Sequence, residues 1–138
     1  MAELLTPVAD LIAHLHCGMA EPFRRPDADC CAFTADWVLA ATGIDPAAAL
    51  RGAYHNAAGA LRLERAWGGF LTMWKVHMAL AGFNETRVPV EGDVGVVRDA
   101  AGQIVSAIRV HGGWAAKTKG GIVIEDFAML CAWSLRRG

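Results

Sequence analysis

Through residue 81 the apolar positions of the chain recur every three or four residues; after Gly82 they come in short runs between glycine turns. The first pattern is helical and the second is strand-like. Val8, Leu11, Ile12 and Leu15 predict a first helix, with Thr6 as its cap, Pro7 in its first turn and Gly18 as its stop. Pro22 and Pro26 make residues 18–28 a loop. Asp29 caps a second helix, whose apolar face is Cys30, Phe33, Trp37 and Ala41 and whose stop is Gly43. Asp45-Pro46 predicts a short third helix through Leu50, and residues 51–54 connect it onward. Asn56 caps a fourth helix over 57–67; Gly68-Gly69 breaks it, and a fifth follows over 71–81.

Beyond Gly82, residues 88–93 read as a turn and 94–97 as a strand. A hairpin turn at 99–102 leads to a strand at 104–110, and the Gly112-Gly113 turn to one at 114–117. A turn at 119–121 precedes a strand at 122–124, and a last strand is expected at 132–135. Helices followed by hairpin-linked strands predict a single α+β domain over residues 1–138, with N-terminal helices packed on a C-terminal antiparallel sheet.

Composition narrows the function classes. Apolar residues make up 54% and charged residues 20%, which predicts an apolar surface or one covered by a partner. A formal net charge of −1 gives no long-range attraction to nucleic acid. No apolar run approaches the ~20 residues of a membrane span, and Glu3 stands where a signal peptide is basic. The expectation is synthesis in the cytoplasm, with later incorporation into an assembly. The four cysteines, Cys17, Cys30, Cys31 and Cys131, read as free thiols.

The candidate chemistry starts at Cys30. A thiolate is the nucleophilic form of cysteine, and the first turn of a helix favours negative charge through its unpaired N–H groups. Cys30 follows the Asp29 cap directly, with Cys31 about 100° further round the helix. The plain alternative is that both are small buried residues. A metal site over His14, His16, Cys17, Cys30 and Cys31 is a further alternative, since His14 and Cys17 share a helix face. The usual zinc spacing of two cysteines two residues apart does not occur, so neither metal nor cofactor is expected.

Asp29-Cys30-Cys31-Ala32-Phe33, an amphipathic helix, and then Gly92-Asp93-Val94-Gly95-Val96-Val97 resemble the NlpC-type cell-wall peptidases. The resemblance implies a papain-like fold with Cys30 as nucleophile and Asp29 and Cys31 beside it. It implies a histidine at the start of the strand after Gly-Asp, but Ile104-Val105-Ser106-Ala107-Ile108 stands there. His111 is the nearest, about 15–20 Å along the strand. Among the others, His77 lies mid-helix, His55 precedes a helix, and His14 and His16 point about 200° apart.

The chain also resembles small phage and prophage proteins, through Asp36-Trp37-Val38, Gly43-Ile44-Asp45-Pro46-Ala47, Arg51-Gly52-Ala53-Tyr54, Gly59-Ala60-Leu61-Arg62 and Ala132-Trp133. This implies a tail or virion protein, structural or degenerate in activity, with other virion proteins as partners. The alternative is an active cysteine hydrolase of peptidoglycan peptides. Trp114, beside the Gly112-Gly113 turn, is the candidate anchor for a partner surface.

Overall fold

The computed structural model describes residues 8–25 and 29–136. The expected Thr6-Pro7 start and part of the 18–28 loop lie outside the described residues. Helix α1 spans Val8–Ala20, α2 Cys30–Thr42, α3 Ala57–Ala66 and α4 Phe70–Leu80. Strands follow as β1 (Asn84–Glu85), β2 (Val94–Arg98), β3 (Ile104–Val110), β4 (Gly113–Thr118), β5 (Gly121–Glu125) and β6 (Ala128–Ser134). All pairings are antiparallel, in the order β1-β6-β2-β3-β4-β5. The α+β class and the order of elements agree with the sequence pattern.

Two local expectations fail for identifiable reasons. Gly18 does not stop α1, which runs on to Ala20. Its role is close approach: a Cβ there would lie 2.6 Å from the Phe33 ring. The expected third helix at 45–50 is a run of turns. The Asp45 carboxylate accepts from Ala47 N at 3.0 Å and from Arg51 Nε at 2.7 Å, which folds the segment back on itself.

The sheet curls. Four inter-strand spacings separate β5 from β6, about 19 Å in a flat sheet. Only Asp126 and Phe127 join them, a reach of about 11 Å. The β4–β5 end must therefore roll toward β6. Two cores result. Against the helices pack Val94, Val96, Ile108, Ala115 and Trp133, with Phe33, Trp37 and Met78 from the helices. Inside the roll lie Val97, Ala107, Trp114, Ala116 and Ala132.

Gly92-Asp93 ties the second half to the first. Trp37 Nε1 donates to Gly92 O at 2.8 Å. The buried Asp93 carboxylate accepts from Val90 N at 2.9 Å and Leu135 N at 3.1 Å, clamping the loop before β2 to the chain after β6. Burial pushes the Asp93 carboxyl up, against those two backbone bonds. In this chain Gly-Asp is a structural joint.

Candidate functional site

Asp29 adopts an extended backbone and caps α2, its Oδ1 accepting from Ala32 N at 2.9 Å. Its other oxygen accepts from the Tyr54 hydroxyl, and both residues are buried. Tyr54 thus fixes the carboxylate that starts the helix. Burial and the carboxylate together push the Tyr54 phenol far up, so it stays a proton donor.

Cys30 and Cys31 are half-buried at the first turn of α2. They share a cavity of about 50 Å³ with Arg25, Asp29, Tyr54 and Glu64. Strand β3 crosses this turn, and Ser106 Oγ donates to Cys30 O at 2.9 Å. Burial, then the Asp29 charge, push the Cys30 thiol up to about 11, opposed by hydrogen bonds from Ser106. Burial, then Cys30 and Asp29, push Cys31 up as well, with Arg51 opposing. Glu64 is raised by burial, with Arg25 opposing. The helix terminus alone does not make a thiolate here, because its field is outweighed by burial and a neighbouring carboxylate.

No imidazole is among the groups acting on Cys30, which are Asp29, Ser106 and Glu64. His111 is exposed in the turn after β3, five residues and about 16 Å along the strand from Ser106. It does not join Cys30. His77 is buried, donates from Nδ1 to Met73 O at 2.7 Å and meets the Trp67 ring edge-on at 4.5 Å. His14 donates from Nε2 to Phe33 O at 3.0 Å and stacks on the Phe33 ring. His16 and His55 are exposed.

Trp114 corrects a second expectation. It is not a surface anchor but is 1% exposed, inside the rolled sheet, with the Arg109 guanidinium 5.3 Å from its ring. Of the five residues expected at the site, Asp29, Cys30 and Cys31 come together, and His111 and Trp114 do not. Tyr54, Ser106 and Glu64 are the site residues that spacing missed. Ser106 had a signal, because it lies in the segment that crosses the nucleophile position; Tyr54 and Glu64 had none.

All four cysteines are unpaired. Among the described residues, no cluster of three or more His, Cys, Asp and Glu side chains is placed to hold a metal ion. No helix among them is long and apolar enough to cross a membrane.

No curated protein and no solved structure matches the chain. A family model described as a domain of unknown function, DUF6950, matches residues 8–135 and so covers nearly all of the sequence. On that match, the chain belongs to the DUF6950 family.

Proposed function

We propose that this domain is an NlpC-type, papain-like scaffold without peptidase chemistry, serving as a structural or binding module of a phage-type particle. The observation that carries the loss of chemistry is the Cys30 environment. Its thiol is raised to about 11 and meets Ser106, Asp29 and Glu64, none of which is an imidazole base. Attack on an amide needs a thiolate and a base within hydrogen-bond reach. The order of elements supports the scaffold: a cysteine at a helix start, crossed by the strands that follow Gly-Asp. The particle context rests on the sequence resemblance and on an apolar composition of 54%.

The competing reading is a cysteine hydrolase of peptidoglycan peptides. One observation favours it, the cavity of about 50 Å³ beside Cys30. Incubation of the protein with purified peptidoglycan separates the two. The module releases no new amino termini above a Cys30→Ala control. Release that Cys30→Ala abolishes overturns the reading in favour of the hydrolase. The particle role is tested in the cell that encodes the chain. The protein is expected in purified particles at a fixed ratio to their other proteins, and its absence there removes that role.

A further inference from the structure

The two edges of the sheet are built differently. At one, β1 is two residues long, and both Asn84 and Glu85 are polar and exposed. So short and polar an edge offers little for another chain to pair with. At the other, β5 runs Gly121–Glu125 in unbroken register with β4. It has no proline and no bulge, and residues 120–124 carry no charge. Ile124 is 49% exposed, and Lys119, Gly120 and Glu125 are exposed beside it.

This edge presents open backbone. Thr118 and Gly121 flank a two-residue turn and pair directly, so they exchange N–H···O bonds. Alternation then turns the backbone of Val123 and Glu125 toward β4 and that of Ile122 and Ile124 outward. Among the described residues, no backbone group outside the β4 pairing bonds to Ile122 or Ile124. Helix α1 covers the face of the strand at Ile122, where a Cβ on Gly18 would lie 3.1 Å from Ile122 Cδ1, and leaves the edge clear. A Cβ on Gly121 would meet nothing within 4 Å, and one on Gly120 only Thr118 Oγ1 at 3.8 Å.

Charge selects what can lie there. Lys119 stands at the start of the edge and Glu125 at its end, and among the described residues neither enters an ion pair. A second copy lying antiparallel sets opposite charges together; a parallel copy would set like against like. With Ile122 opposite Ile122 of the second copy, Gly120 faces Ile124 and Lys119 faces Glu125, each twice by symmetry. The same register brings the outward N–H and C=O groups of the two strands against each other.

We propose that β5 is a self-association edge: it pairs antiparallel with β5 of a second copy, centred on Ile122, and joins the two sheets edge to edge in a two-fold dimer. Backbone hydrogen bonds hold the strands together, Ile122 and Ile124 supply apolar contact, and the two Lys119–Glu125 pairs fix direction and register.

Sedimentation equilibrium of the full chain, from about 5 to about 500 µM, covers the affinities of small interfaces. The expected result is a monomer–dimer equilibrium that weakens as salt is added. Lys119→Glu and Glu125→Lys each set like charges opposite one another and are expected to raise the dimer Kd about tenfold. The variant carrying both reversals restores the match, and its Kd is expected within about threefold of wild type. Hydrogen exchange, read at low and high protein concentration, is expected to slow at the Ile122 and Ile124 amides as the dimer forms, and not at Val123, which already bonds to β4. Both charged residues are exposed, so the variants leave the folded core intact, and their urea midpoints check this. A wild-type chain that stays monomeric at the highest concentration overturns the proposal. So does a dimer that neither reversal weakens, or one that the double reversal fails to restore.

Discussion

Ser106 Oγ donates to the carbonyl oxygen of Cys30 at 2.9 Å, joining the middle of β3 to the first turn of α2 across 76 residues of sequence. The strand that would carry a base to the cysteine reaches it, and presents a hydroxyl. Ser106→Ala breaks this bond while keeping the backbone contact. It is expected to lower unfolding free energy by about 1 kcal/mol in urea denaturation. It also removes a group that favours the thiolate, so Cys30 becomes still harder to ionise.

Tyr54→Phe tests the support of the helix cap. It leaves one oxygen of the buried Asp29 carboxylate without its donor. The expected loss is about 1.5–3 kcal/mol, typical of a hydrogen bond to a charged group. Asp29→Ala removes the bond and the cap to Ala32 N together. In a double-mutant cycle the two losses are expected to be less than additive, because both variants delete the same bond.

The second core depends on a glycine. A Cβ at Gly95 would lie 2.7 Å from Cys131 O and 2.9 Å from the Trp114 ring. Gly95→Ala is expected to destabilise the fold by about 1–3 kcal/mol and to change the Trp114 environment. Urea denaturation gives the first quantity and near-ultraviolet circular dichroism the second. An unchanged spectrum and midpoint would place Trp114 away from β2.

Alkaline stability follows from the thiols. Cys30 ionises at about 11 when folded, against an ordinary value of 9.0, so the unfolded chain loses its proton first. Cys31 and Cys131 are also raised, each mainly by burial. The thiol contribution to stability is therefore flat below the ordinary thiol value and is lost as pH rises from about 9 to about 11. With Cys30 half-exposed, its share is about 1–2 kcal/mol at the upper end. Denaturation midpoints of wild type and Cys30→Ala at pH 8 and pH 11 check this; the variant should lose less.

Elements with a local cause were legible in the sequence. Asp29 and Asn56 cap their helices as read, and Gly43 ends α2 with a positive φ of 80°. Strand β3 spans the expected residues because glycine turns bracket a mostly apolar run. What depended on distant contacts was not legible. Gly18 reads as a stop until Phe33 packs against it. Trp114 reads as a surface anchor because only the rolled sheet creates an inner core for it. At the site, the helix start and its two cysteines were readable from residues 29–31. The Tyr54 support, 25 residues from Asp29, comes from tertiary packing that no periodicity encodes.

The proposed loss of peptidase chemistry turns on whether Cys30 is an activated nucleophile. The most direct measurement is its ionisation, read as the pH dependence of iodoacetamide alkylation at Cys30, with Cys30→Ser as the reference. The predicted result is a Cys30 that stays unlabelled through neutral pH and reacts only as pH approaches 11. A Cys30-dependent phase with a midpoint well below the ~8.5 of a free thiol would contradict it and restore the hydrolase.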